Sequence, residues 1–348
     1  MVRGREFKLA ARNAAMWSNQ FMSADFAGGE GPLYIGVDLG GTNVTAGTVD
    51  ASGRIVRELS ADAESERGED LFRHLIAFVR ELLEEPGGSG RVAAVGVGLP
   101  GLVSNTTHQA IVLPNLPDLS KLDIERELKA VTPLPVALDN DANAAAYGEL
   151  LAGAGRGSST LFYVGIGTGI GAGLIIDGKV WRGANGYAGE FGHMTIDPDG
   201  IECACGNVGC LETVVSAPNI VRRARERLFR DRTSSLSRLV IPRDREFTGE
   251  DIANAALAGD DMAQLIMDRT GMFLGIALAG VINLLNVETV VIGGGVMAAG
   301  DALLQPIIEH TRRRAFGPSF QACRIVAAGL GKSSGVVGAA LLARDEAA

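Results

Sequence analysis

Cysteine is scarce in this chain, basic residues are outnumbered by acidic ones, and no long hydrophobic run occurs. Four cysteines in 348 residues cannot staple a secreted disulfide framework. With 32 Lys and Arg against 41 Asp and Glu, the net charge is −9, the wrong sign for a surface that neutralises phosphates along a nucleic acid. The longest strongly apolar stretch, Gly271 to Leu285, is too short for a membrane span, and Asn286 and Glu288 come directly after it. It reads as a buried helix. These shortages predict a cytoplasmic protein with no nucleic-acid or membrane partner.

The remaining composition is that of a folded protein, with 47% hydrophobic and 21% charged residues. Its length suits two lobes or one large α/β unit. The 47 glycines are about twice the usual share and have no collagen period, so many positions need positive φ or close approach to a ligand. The first 30 residues carry Arg3, Arg5, Lys8 and Arg12 without an apolar core and small-residue cleavage site, and read as a poorly ordered amphipathic extension.

From Leu33 the pattern is a strand, a glycine turn over Asp38 to Thr42, a return strand to Val49, the turn Asp50-Ala51-Ser52-Gly53 and a third strand. Leu71, Leu75, Phe78, Val79 and Leu82 share one face of a helix predicted from Gly68 to Glu85. A second unit repeats this outline: strand Leu161 to Ile166, a glycine turn, a return strand to Ile176, then the turn Asp177-Gly178. Two related lobes are implied. Helices are expected at Ala217 to Leu228, Gly249 to Ala258, Asp261 to Leu285, Asp301 to Arg314 and from Ser334, with strands at Thr289 to Ile292 and Arg324 to Ala327.

Several motifs carry chemistry. Asp38-Leu39-Gly40-Gly41-Thr42-Asn43 and Gly167-Thr168-Gly169 are turns whose backbone N–H groups can converge on an anion such as a phosphate. Asp38 could hold Mg²⁺ through water. Neither turn is a Walker loop. Gly293-Gly294-Gly295 comes after a strand and is expected to open a helix; packing against an adenosine suits it better than dinucleotide binding, for which no acidic partner is in place. Asp139-Asn140-Asp141 ends a strand and starts an alanine-rich helix, so Asp139 or Asp141 is either a helix cap or a base in phosphoryl transfer. His193, Cys203, Cys205 and Cys210 supply one imidazole and three thiolates, a closed tetrahedral set for structural Zn²⁺. Cys323, His74, His108 and His310 are read as ordinary.

Taken together, Asp38-Leu39-Gly40-Gly41-Thr42, Gly98-Leu99-Pro100-Gly101, Asn140-Asp141, Gly189-Glu190-Phe191-Gly192-His193 and Cys203-x-Cys205-Gly206-x-x-Gly209-Cys210-x-Glu212 resemble the ROK family of bacterial sugar kinases and sugar-responsive repressors, its glucokinases above all. The resemblance runs from about Leu33 to the C-terminus. It implies an α/β fold of the actin/hexokinase-like (ribonuclease H-like) type, duplicated into two lobes with an interlobe cleft. Residues 31–142 with the helix 334–348 would form the N-terminal lobe, and 143–333 the C-terminal lobe with the zinc loop. It further implies ATP as donor, with Asp141 as general base on the sugar 6-hydroxyl. Asn140, Glu190, His193 and Glu212, joined by Gly101 and Asn115, would hold the hexose, and a homodimer or homotetramer is expected. Many family members have lysine where Asn43 stands. The helix-turn-helix of the repressors needs several tens of residues ahead of the first strand, and 30 poorly patterned ones precede Gly31.

Overall fold

The computed structural model describes residues 31–41, 43–62, 68–84, 91–104, 110–113, 116, 119, 122–230, 233–240 and 247–348. The chain divides into Met1–Glu30, outside the described residues, and Gly31–Ala348.

In chain order, β1 (Leu33–Leu39), β2 (Asn43–Asp50) and β3 (Ile55–Asp62) precede helix α1 (Gly68–Glu84) and β4 (Val92–Leu99). A small hairpin of β5 (Leu102–Val103) and β6 (Ala110–Val112) leads to helix α2 (Ile124–Lys129), β7 (Val136–Asn140) and α3 (Asp141–Ala152). Next come β8 (Leu161–Ile166), β9 (Ile170–Ile176), β10 (Lys179–Val180) and helices α4 (Glu212–Val215), α5 (Ala217–Leu228), α6 (Ser237–Val240), α7 (Gly249–Leu257) and α8 (Asp261–Leu285). The chain ends with β11 (Thr289–Gly293), α9 (Asp301–Arg312), α10 (Gly317–Gln321), β12 (Arg324–Ala327) and α11 (Ser334–Glu346).

Two five-stranded sheets share one topology. The orders are β3-β2-β1-β4-β7 and β10-β9-β8-β11-β12, antiparallel through the first three strands of each and parallel through the rest. This is the duplication that the paired glycine-turn units predict.

Alternation along β1 sends Ile35, Val37 and Leu39 toward α1, whose Leu71, Leu75, Val79 and Leu82 are all fully buried. Tyr34 points the other way, to Val336, Val337 and Leu341 of α11. That helix lies against the backbone of the sheet, because a Cβ at Gly36 or Gly96 would strike a carbonyl of Val336 or Ala339. In the second sheet Phe162, Val164 and Ile166 pack with Leu274 and Leu278 of α8, while Leu161, Tyr163 and Ile175 face α3.

Helix α3 is therefore covered on two sides. Its Ala144 meets Ala339 and Leu342 of α11, and its Ala142, Ala145 and Ala146 meet the second sheet. Small side chains let the two sheets close on a single layer of helices, and Ala142 lies inside that shared layer. Helix α8 is long and apolar enough to cross a membrane, but it is a core helix, mostly buried beside α7 and α9.

Candidate active site and zinc loop

The parallel strands of the first sheet bring three positions into one row, Asp38 beside Gly98 and Gly98 beside Asp139. Gly98 leaves room above itself, so the Cα of Asp141 lies 3.2 Å from where its Cβ would be. Asp38 and Asp141 thus share the carboxyl end of the sheet, where α/β folds place ligands. Burial pushes Asp38 up to about 7, with the charge of Asp141 adding to it. Burial likewise pushes Asp141 up to about 6; the Ala142 N–H opposes the shift and the charge of Glu190 adds to it. A carboxylate whose proton leaves near neutrality, at a helix N-terminus, suits a general base.

The structure sorts the three residues Asp139, Asn140 and Asp141 by role. Asn140 is the helix cap, its Oδ1 accepting from Ala142 N at 2.9 Å and Asn143 N at 3.1 Å, while its Nδ2 donates to Gly101 O at 3.0 Å. Asp139 is buried and ion-paired with Arg182 at 2.6 Å. Asp141 is left as the carboxylate with capacity to spare.

In the first glycine turn Gly40 N donates to Asn43 O at 2.8 Å, and the Asn43 side chain folds back over Gly40. Gly41 lies at the tip; Thr42 falls outside the described residues. The matching turn is closed by Gly167 N donating to Gly169 O at 2.9 Å and leaves Thr168 exposed. Gly165 pairs with Gly293, which puts Gly294 and Gly295 beside this second turn. The chain after Gly294 departs from the expected helix start: Gly295–Ala299 is a 3₁₀ turn, and α9 begins only at Asp301 after Gly300 adopts a φ of 54°.

Sequence reasoning gave no warning of a cavity of about 490 Å³ lined by Ala217, Pro218, Val221, Arg225 and Phe247 among others. It adjoins the second turn, since Ala217 N donates to Gly167 O at 2.8 Å. Proline near the start of α5 was its only trace in the sequence.

The hexose candidates gather around the 3₁₀ turn Phe191–His193. His193 Nε2 lies 3.7 Å from Glu190 Oε2, and burial raises Glu190. Glu212 is committed through one oxygen, Oε2 accepting from Ile170 N at 2.9 Å, which joins it to the strand after the second turn. Gly101 touches this group through Asn140. Asn115 lies outside the described residues, as does His108.

The metal candidates converge. The ligand atoms of His193, Cys203, Cys205 and Cys210 all lie within 4.8 Å of one another. Cys203 Sγ is 3.6 Å from His193 Nδ1 and Cys205 Sγ is 3.7 Å from Cys210 Sγ. Zinc at about 2.3 Å from sulfur and about 2.1 Å from nitrogen gives tetrahedral edges of roughly 3.6 to 3.8 Å, so the set fits the ion. Asn207 Nδ2 donates to Cys210 Sγ at 3.4 Å and to Thr195 Oγ1 at 2.8 Å, which steadies the loop from outside. Cys323 is a buried core residue, and His310 pairs with Asp268 at 3.1 Å.

Two α/β sheets of one topology, each with a glycine turn between its first two strands, define the actin/hexokinase-like class. Residues 34–346 match the ROK family. The chain is 35% identical over 316 residues to a glucokinase of Halalkalibacterium halodurans, covering 90% of this chain and 95% of that one. It is 30% identical over 296 residues to a xylose repressor of Caldicellulosiruptor bescii, with 84% of this chain and 73% of the repressor covered. Among solved structures, a ROK glucokinase from Streptomyces griseus in complex with glucose and AMPPNP superposes with a TM-score of 0.80 at 35% identity, over 90% of this chain and 99% of that one. The chain belongs to the ROK family.

Proposed function

We infer that the protein is an ATP-dependent hexose kinase, a glucokinase that transfers the γ-phosphoryl group of ATP to the 6-hydroxyl of glucose. The observation that carries the reading is the position of Asp141, a half-buried carboxylate at the start of α3 whose proton is held up to about 6, beside Asp38 and facing the hexose candidates. Similarity to a glucokinase that binds glucose and a nucleotide analogue agrees with it.

On this reading the adenosine lies in the cavity beside α5 and the triphosphate lies between the two glycine turns. Gly40 and Gly167 close the two turns through their own N–H groups, and the backbone N–H groups of Gly41 and Gly169, with Thr42 and Thr168, hold its oxygens. Asn140, Glu190, His193 and Glu212 orient the sugar, and Asp141 takes the proton from its 6-hydroxyl as that oxygen attacks in line. Mg²⁺ held near Asp38 would neutralise charge on the β- and γ-phosphates. Zn²⁺ held by His193 Nδ1 and the three cysteines would cross-link the sugar loop and leave Nε2 of His193 facing the sugar. Closure of the lobes excludes water and suppresses hydrolysis.

The reaction belongs in the cytoplasm, where the four free cysteines stay reduced. Association into a homodimer or homotetramer would cover Leu284 and Phe316, exposed at 83% and 66% on either side of Asn283, whose Oδ1 accepts from Phe316 N. Mannose, fructose, N-acetylglucosamine and N-acetylmannosamine share most of the hydroxyl contacts, so the decisive experiment is ADP release with each of these and with glucose beside a no-sugar control. Sugar-dependent ADP release led by glucose supports the reading. Glucose binding with no ADP release from any sugar would make the chain a sensor of the repressor kind.

A further inference from the structure

Tyr163 lies in the middle of β8, paired with Gly173 on β9 and Val291 on β11. Side chains alternate along a strand, so its ring shares a face with Gly165 and, across the ladder, with Gly293. Both glycines make room for it. A Cβ on Gly165 would lie 3.2 Å from Cε1 of the ring, and one on Gly293 would lie 2.5 Å from its hydroxyl oxygen. The phenol therefore runs along the sheet toward the ends of β8 and β11, and its hydroxyl rests where the turns at Gly167 and Gly294 begin. The residue is only 5% exposed and its hydroxyl makes no hydrogen bond among the described residues, yet that oxygen is not one of their fully buried unpaired polar atoms, so the hydroxyl is the part of the side chain open to the cleft.

Burial and the charges of Glu149, Asp38 and Asp141 hold the phenol proton in place well above the usual value, so the group is a fixed neutral donor. The nearest of these carboxylates along the chain is already served: Glu149 accepts from Ala154 N, Gly329 N, Leu330 N and Ser334 Oγ. A fixed donor that no protein group uses and that opens on the cleft is available to a ligand's acceptor. The acceptor that fits is an anion entering between the two turns.

We propose that Tyr163 is a further phosphate-binding residue of this site, its hydroxyl donating a hydrogen bond to an oxygen of the transferring phosphoryl group. This rests on the kinase reading and assigns that reading a residue its motifs do not contain. The γ-phosphoryl is the one concerned, because Tyr163 pairs with Gly173, whose missing Cβ makes room for the backbone of Ala142, the residue next to the proposed base Asp141. Charge on the equatorial oxygens changes during transfer, and a preorganised donor aimed at them stabilises the transition state without moving.

The test is Tyr163→Phe in the full chain, which keeps the ring between the two glycines and removes one donor. Expected are a fall in kcat of about 10- to 100-fold, an unchanged KM for glucose and an unchanged melting temperature. Direct binding separates this from a structural role: AMPPNP affinity drops about 10-fold while ADP affinity stays the same, since ADP lacks the group concerned. Wild-type kcat together with wild-type binding of both nucleotides overturns the proposal. Equal loss of ADP and AMPPNP affinity overturns the assignment to the transferring group. A wild-type protein that releases no ADP with any sugar fails the kinase reading instead, and the two binding constants still decide where Tyr163 acts.

Discussion

Arg182 donates to Asp139 through both Nε, at 2.9 Å, and Nη2, at 2.6 Å, across the boundary between the two sheets. Asp139 is the last residue but one of β7 in the first, and Arg182 lies just past β10 in the second. The other carboxylate oxygen accepts from Asn140 N at 2.7 Å and Asn143 Nδ2 at 2.9 Å. Arg182 O in turn accepts from Ala188 N at 3.1 Å, at the entry to the loop that carries Glu190 and His193. One ion pair thus fixes the loop of the hexose candidates relative to the strand end beside the proposed base, Asp141.

Arg182→Gln leaves a nearly buried carboxylate without its cation. Removing one partner of a buried pair costs about 3 to 5 kcal/mol, and the partial exposure of Arg182 brings the expected loss down to roughly 2 kcal/mol. Chemical unfolding measures it. The KM for glucose should rise about tenfold with the KM for ATP unchanged, and adding Asp139→Asn should recover part of the lost stability through a coupling of about 1 kcal/mol or more. Strict additivity in that cycle would show the pair to be idle.

Two raised carboxylates set the pH dependence. As the proposed base, Asp141 would act only when deprotonated, so kcat/KM for glucose should fall as pH drops through about 6, the value to which burial pushes it. Asp141→Asn should lower turnover by about 100-fold or more and leave glucose affinity nearly intact. Stability runs the other way. Between about pH 4 and the raised values of Asp38 and Asp141, the folded chain holds protons that the unfolded chain has lost, so their contribution declines as pH rises from 4 to 7 and is flat beyond. Asp38→Asn should therefore raise the melting temperature of the ligand-free protein at pH 8 more than at pH 4.5. A variant that is equally shifted at both values would contradict the assignment.

Elements with local punctuation were legible in the sequence. Helix α8 starts and stops where expected because Asp260 caps it, accepting from Ala263 N, and Asn286 ends it with a φ of 51°. The duplicated glycine turns announced the duplicated sheets, and the clustering of three cysteines with His193 announced the metal set. Harder to read were parts whose role depends on a partner far along the chain. Nothing near Arg182 points to Asp139, 43 residues away, and nothing near Tyr163 says that Gly293 will clear space for it. Helix α3 shows no amphipathic stripe because both of its sides are buried, so its pattern cannot reveal that it separates two sheets. The cavity beside the second glycine turn is likewise assembled from α5 and the Phe247 to Gly249 segment, and no spacing brings those together.

Zinc removal should act on the sugar and spare the nucleotide. His193 offers Nδ1 to the metal set while Glu190 sits 3.7 Å from its Nε2, so on the proposed reading loss of the ion frees a ring that holds the hexose. Dialysed protein should hold about one zinc per chain. Stripping it with a chelator should raise the KM for glucose about tenfold or more, with ADP affinity unchanged until the loop unfolds. Less than about half an equivalent in carefully prepared protein counts against a structural site, and Cys210→Ser, at the buried end of the set, should lose metal more completely than Cys205→Ser at its exposed end.

Glu149 offers the sharpest test of how the lobes are joined. It is fully buried at the end of α3, where the chain leaves the first sheet for the second, and the segment 329–334 returns from β12 to α11 beside it. Its Oε2 accepts from Ala154 N at 2.8 Å and Gly329 N at 2.9 Å, and its Oε1 from Leu330 N at 2.9 Å and Ser334 Oγ at 2.7 Å. Four donors and two oxygens leave no site for a proton. Glu149→Gln is isosteric, and with its NH₂ group turned to the Oε1 side the Ser334 hydroxyl can accept from it while donating to Gly331 O, so the Leu330 N–H is the donor left buried without a partner. At about 1.5 to 3 kcal/mol for a bond to a charged acceptor the variant should be destabilised by roughly 2 kcal/mol or more. Both crossings should loosen together, so hydrogen exchange should quicken at Ala154, Gly329 and Leu330 in the same experiment while the amides of β1 and β8 keep their protection. Faster exchange at only one crossing would mean that Glu149 braces a single segment and that the two are not coupled through it.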